Sequence, residues 1–243
     1  MIEIINLSKK YKGNEYFSLK NANFTCKNGE IVGLVGGNGA GKSTLLKCLV
    51  GYTDFDSGEI LINSYNIKTQ GVEAKKQFGF ISDDHAVFEN MTGLEYVNFM
   101  ADIYKISKDD RTKRLEALEQ TFNLGDKINN LISSYSFGMK QKICIMGVLI
   151  YQPSVWILDE PFTGLDASTT YEVIELMQEY VKQKKSVLFS SHDLHIVEKI
   201  CDRIYIIKKG EIIEECDLKT FAQKHNGKSL EEYFVENIYD KDE

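Results

Sequence analysis

The stretch Ile31-Val-Gly-Leu-Val-Gly-Gly-Asn-Gly-Ala-Gly-Lys-Ser-Thr44 decides the fold. Its first five residues are an uninterrupted apolar run, the mark of a strand buried on both faces. Leu45, Leu46, Leu49 and Val50 then recur at helical spacing. Between strand and helix, Gly36 to Ser43 satisfy the pattern G-x-x-x-x-G-K-[ST] in the setting that the pattern requires. The residue types follow from the chemistry. Glycines let the backbone curl so that its N–H groups face phosphate oxygens, and the N-terminus of the following helix adds a favourable dipole. Gly36, Asn38, Gly39, Ala40, Gly41 and Thr44 are therefore candidate nucleotide-binding residues together with Lys42, which neutralises β- and γ-phosphates, and Ser43, which ligates magnesium. A flexible glycine turn beside a surface lysine is the plainer alternative.

Such a loop needs carboxylates nearby, and Val155-Trp-Ile-Leu-Asp-Glu160 places two where a second apolar strand ends. Asp159 is the candidate for the magnesium shell and Glu160 for the base that takes a proton from the attacking water. Alternation in Ile2–Leu7 and Phe17–Thr25 suits half-buried antiparallel strands. Apolar residues at helical spacing from Gly93 to about Lys127 place an all-helical insert there. Strands return at Val155–Leu158, Ser186–Ser190 and Arg203–Ile207, with a helix over Thr169–Lys185, which implies a largely parallel sheet. The expectation is one α/β domain over 1–243: a P-loop fold with an N-terminal antiparallel sheet, a helical insert over about 85–152 and a helical tail over about 217–243.

Composition narrows the functional class. With 29 Lys and Arg against 36 Asp and Glu, the net charge of -7 argues against a nucleic-acid partner. No apolar run reaches membrane-span length, and Met1–Asn6 lacks the layout of a secretory signal, so a cytoplasmic location is expected. The five cysteines show no metal-ligand spacing and read as buried thiols in a reducing compartment.

The same residues resemble the ABC ATPase family over nearly the whole chain. The resemblance implies further roles, in family order. Tyr11 stands where an aromatic stacks on adenine, although a tyrosine there also suits a core or edge position. Ser136-Phe-Gly138 resembles the signature loop, with Ser136 and Gly138 turned to a γ-phosphate; an ordinary helix N-cap is the alternative for the serine. Thr163-Gly-Leu-Asp166 matches the D-loop, and Ser190-Ser-His192 ends a strand with the switch histidine, His192, on the γ-phosphate. His85, His195 and His225 carry no such role. The family glutamine before the insert aligns with Asp83, an oxygen donor to magnesium that lacks an amide; Asp84 leaves that register open by one residue. Phe137 stands in place of a signature glycine and Met139 in place of the usual glutamine, while Ser136 and Gly138 are retained; Gly37 replaces a proline common in the phosphate loop, which loosens the loop without removing a donor.

The resemblance thus implies Mg-ATP as the cofactor and two cassettes, identical or related, packed head to tail. It implies separate transmembrane permease subunits holding the chain at the inner face of the membrane. The Tyr-Ser-x-Gly-Met-Lys-Gln-Lys142 form is similar to exporter-type cassettes, and Phe88 and Tyr96 are candidate docking contacts or core residues. A soluble relative, such as an iron-sulfur-cluster assembly ATPase, is the competing expectation.

Overall fold

The computed structural model describes residues 1–83 and 88–237. Asp84 and His85 at the start of the insert, and the last six residues of the tail, lie outside the described residues.

The chain opens with β1 (Ile2–Lys9) and β2 (Leu19–Cys26), then β3 (Ile31–Val35) and α1 (Lys42–Leu49). β4 (Ser57–Ile62), β5 (Tyr65–Asn66), α2 (Gly71–Lys75) and β6 (Phe78–Ile81) follow. The insert holds α3 (Gly93–Ile103), α4 (Lys108–Phe122) and α5 (Phe137–Leu149), with two short 3-10 turns between α4 and α5. After it come β7 (Val155–Asp159), α6 (Ala167–Lys182), β8 (Ser186–Ser191), α7 (Leu194–Ile200), β9 (Arg203–Lys208) and β10 (Glu211–Asp217). α8 (Leu218–Lys224) and α9 (Leu230–Asn237) close the described chain.

Two sheets form. The first is antiparallel in the order β2-β1-β4-β5, and the second runs β10-β9-β3-β8-β7-β6. In the second, β9, β3, β8, β7 and β6 are mutually parallel and β10 pairs antiparallel on the β9 edge.

The apolar runs need two covered faces, and the structure provides them. Val32, Leu34, Val155, Ile157, Leu188, Tyr205 and Ile207 point into a core shared with the antiparallel sheet and α1. Their neighbours Ile31, Val35, Trp156, Leu158, Val187, Phe189, Ile204 and Ile206 point into a second core shared with the insert and with α6, α7 and the tail helices. A period of two thus divides each strand between two cores. The stripe Ile143, Met146 and Ile150 of α5 is fully buried in the second core. So is Tyr96, 8% exposed and packed against Gly147, which assigns it to the core. Phe88 remains 56% exposed, its ring edge-on to Phe99 with centroids 5.3 Å apart.

Parallel strands bring their C-terminal ends to one edge, where α/β sheets bind ligands. Here that edge collects the glycine loop after β3, Asp83 beyond β6, Asp159 and Glu160 at the end of β7, His192 after β8 and Lys209 after β9.

Candidate functional site

A cleft of about 600 Å³ opens at this edge. Its floor is the loop Gly37–Thr44, and Asp83, Glu160, Lys209 and Gly210 also line it. Asn14, Tyr16, Phe17 and Ser18 form a further wall. Gly41 makes the sharpest turn of the loop, at φ 113°, with its Cα side pressed against the Ser18 carbonyl: an added Cβ would lie 2.8 Å from that oxygen. Only glycine meets both demands.

Lys42 starts α1 and is 7% exposed. Its Nζ donates to the carbonyls of Gly36 at 2.8 Å and Gly37 at 3.4 Å, and lies 3.5 Å from Glu160 Oε1. The other carboxylate oxygen of Glu160 is 2.9 Å from His192 Nδ1. Because a carboxylate only accepts, that ring nitrogen carries the hydrogen, which leaves Nε2 facing away from the glutamate. The three side chains form one connected line with Glu160 at its centre. His192, 62% exposed, does not line the nucleotide cleft. It lies with Glu160 on a second cleft of about 480 Å³, walled by Thr163, Leu165, Tyr171 and Asp193.

Strand alternation turns Asp159 to the face of Val155 and Ile157, towards α1, and Glu160 leaves the strand at φ 47°. A non-glycine residue is uncommon in that left-handed region and is held there by its surroundings. Part of the hold is Ser190. Its hydroxyl donates to Asp159 Oδ1 and accepts the Glu160 backbone N–H at 3.0 Å, so one side chain of β8 fixes both carboxylate residues of β7. Burial pushes the Asp159 carboxyl above the usual range, the hydroxyls of Ser190 and Ser43 pull it back, and the charges of Asp83 and Glu160 raise it again. Asp159 Oδ2 is buried without a hydrogen-bond partner among the described residues. A buried orphan oxygen beside Ser43 is what a hard divalent cation such as magnesium would satisfy.

The remaining sequence-derived residues lie elsewhere. Tyr11 does not line the cleft. Its carbonyl accepts from the Asn14 N–H at 3.1 Å, opening the turn that carries the aromatic wall, and its ring sits 5.0 Å from the Lys9 ammonium. Tyr16 and Phe17 stand on the wall in its place. Ser136 caps α5, its hydroxyl accepting from the Met139 N–H at 3.4 Å. Asp166 caps α6 by accepting from the Thr169 N–H at 2.7 Å, which holds its carboxyl below the usual range. Ser136, Gly138 and Asp166 line neither cleft. Sequence reading gave no role to Asn14, Tyr16, Phe17, Lys209 or the Ser190 hydroxyl. Lys209 had a usable signal, since it follows a parallel strand just as Glu160 and His192 do.

A phosphate loop between strand and helix, with an acidic pair ending a strand of the same parallel sheet, defines a P-loop nucleotide-binding ATPase. The comparisons with known proteins narrow that class. The model of a family described as "ABC transporter" matches residues 19–163. The ABC-type transporter ATP-binding protein EcsA of Bacillus subtilis (strain 168) is 32% identical, covering 97% of this chain and 96% of its own length. The linearmycin resistance ATP-binding protein LnrL of the same organism is also 32% identical, over 88% of this chain and 68% of LnrL. A solved "ATP binding subunit of ABC transporter" superposes with a TM-score of 0.92 at 31% identity, covering 97% of this chain and 98% of its own. The dimeric post-hydrolysis state of the ATP-binding cassette MJ0796, bound to ADP and Pi, superposes with a TM-score of 0.80 at 26% identity, over 90% of this chain and 99% of that one. The chain belongs to the ABC transporter family, as an ATP-binding and ATP-hydrolysing subunit.

Proposed function

We propose that two copies of this chain, or this chain and a related cassette, close around Mg-ATP and that the closure drives separate membrane subunits that export a substrate. One observation carries the reading. Lys42, Ser43, Asp83 and Glu160 line one nucleotide cleft, with Asp159 buried beside Ser43, whereas Ser136, Gly138 and Asp166 line no part of it. Groups of phosphate-binding type left outside a chain's own cleft are available to the nucleotide of a second chain.

Within each half, Gly36–Thr44 and Lys42 bind the phosphates. Arrival of a γ-phosphate gives Lys42 a stronger partner than the Gly36 and Gly37 carbonyls and releases it from Glu160. Glu160 then takes the proton of the attacking water at its carboxylate, and His192 holds the other oxygen of that carboxylate in place. Ser43, Asp159 and Asp83 would hold magnesium, which supplies charge neutralisation to the phosphates when bound. Adenine stacking falls to Tyr11 only if its ring turns off Lys9; Tyr16 and Phe17 already face the cleft.

No described helix is long and apolar enough to cross a membrane. The reading therefore places the chain on the inner face of the membrane, held by its permease partners through the insert around Phe88. Export is favoured by the signature form and by the name of the linearmycin resistance relative. The test is solution mass with and without ATP for Glu160→Gln, in which turnover is blocked and the closed state accumulates. A doubling from 27.7 kDa only when ATP is present supports the pairing of two copies, and a monomer at saturating ATP overturns that pairing and leaves the related cassette as the partner. Recovery of a multi-span protein with the tagged chain from native membranes tests the partner.

A further inference from the structure

Far from the nucleotide, three side chains of different chemistry converge. Glu214 and Cys216 are two residues apart on β10 and so share one face of the strand. His225, the C-cap of α8, joins them. One donor atom from each, a carboxylate oxygen, Sγ and an imidazole nitrogen, lies within 4.8 Å of the other two, and His225 Nε2 is 3.7 Å from Glu214 Oε1. That nitrogen is buried and has no hydrogen-bond partner among the described residues. The ring is held between Phe221 and Tyr233, each with its centroid 4.5 Å away, so its aim is set by packing.

We propose that Glu214, Cys216 and His225 form a zinc(II) site that clips the C-terminal helices to the outer strand of the sheet. The mixed O, S and N set is what zinc accepts, while magnesium and calcium prefer oxygen alone. With zinc bonds of about 2.0–2.3 Å, donors of a tetrahedral shell stand roughly 3.3–3.8 Å apart, so the widest donor pair must close by about 1–1.5 Å. Water completes the fourth position. Binding forms the zinc–sulfur bond and breaks the Cys216 S–H bond, with the proton leaving to solvent. Burial raises the Cys216 thiol, as do the charges of Glu214 and Asp217, while the Lys224 ammonium and the Thr220 hydroxyl favour its thiolate.

The competing occupant is the Lys224 ammonium, which is ion-paired with Glu214. Its side chain is 52% exposed while that of Glu214 is 13% exposed, so solvent screens the ammonium end of the pair, and the pair weakens a rival ligand by about fivefold. Lys224 can swing to solvent. Along β10, at about 3.3 Å per residue, Glu214 and Cys216 stand about 13 and about 20 Å from Gly210 at the nucleotide cleft, so metal loading and ATP chemistry can be read separately.

The experiment uses the full chain, stripped with chelator and titrated with cobalt(II) and then zinc(II) in excess magnesium. We expect one equivalent of cobalt with a thiolate-to-metal charge-transfer band, displaced by zinc. Cys216→Ser should abolish the band. Glu214→Gln and His225→Gln, whose side chains are partly exposed, should keep the fold by circular dichroism and weaken zinc binding at least tenfold. Lys224→Ala should tighten it up to about fivefold. The magnesium site holds no thiol and cannot give the band. No band, a band that survives Cys216→Ser, or unchanged zinc affinity in both glutamine variants overturns the proposal.

Discussion

The loop and carboxylate side of the molecule and the segment from Ser136 to Asp166 differ in how they are held. Lys42 and Asp159 are almost fully buried, and Ser190 ties Asp159 and Glu160 to a central strand. Ser136 and Phe137, by contrast, are exposed, and Ser136 and Asp166 are held mainly as helix caps. The first region is preorganised by the sheet of its own chain. The second is presented at the surface, where its final geometry would come from whatever it meets. On the proposed function, the preorganised groups act on the chemical step and the presented groups on assembly.

The comparison is broken most severely at Glu160. Glu160→Gln is expected to lower the rate of phosphate release by about 10²- to 10⁴-fold while leaving ATP affinity within a few-fold, measured by steady-state turnover and equilibrium nucleotide binding. Equal losses of both would place Glu160 in binding and not in proton transfer.

A second test joins the two regions. Gly164 sits at φ 73°, and a Cβ there would lie 2.9 Å from the Phe137 ring, so the aromatic that replaces a signature glycine rests on the D-loop of its own chain. Gly164→Ala should destabilise the protein by roughly 1–3 kcal/mol, through strain and overpacking together. In a Phe137→Gly background only the backbone strain remains. A double-mutant cycle on urea unfolding should give a coupling of about 0.5–3 kcal/mol. Additivity would show that Phe137 moves aside freely.

The third test concerns the cost of the buried carboxylate. Because burial raises the Asp159 carboxyl, the folded chain holds that proton more tightly than the unfolded chain. Stability from this group is therefore present below the ordinary carboxylate range and lost as pH rises through the raised folded value. Asp159→Asn should be more stable than the parent above that window, by about 0.5–2 kcal/mol, and equal to it below. Urea unfolding across pH 2.5–8 checks the sign. The smallest effect belongs to Ser136→Ala, where loss of the cap should cost about 1 kcal/mol by thermal unfolding. A larger loss in ATP-driven association than in stability would mark Ser136 as a phosphate contact.

Much of the site was legible because it follows local rules. The glycine loop, the helix behind it and the acidic end of β7 are each specified by neighbours in sequence, and they appear where the periodicities place them. The tail helices over Leu218–Asn237 were legible too. Tyr11 was the exception: its order in the chain suggested the base, but the cleft wall is formed by Tyr16 and Phe17, beyond a turn whose path depends on packing.

What the sequence by itself determined was the class of chemistry, because strand, loop and helix form from short-range sterics and burial, and phosphate recognition uses their backbone. Only the tertiary structure decided which side chains share a site. Ser190 reaches Asp159 because β8 and β7 are paired in register, with Asp159 opposite Ser190. His192 reaches Glu160 across the same strand ends. Cys216, one of five cysteines that read alike in sequence, meets Glu214 and His225 because α8 folds back on β10. Such meetings depend on registers and crossings set by the two cores as wholes, and no local pattern encodes them.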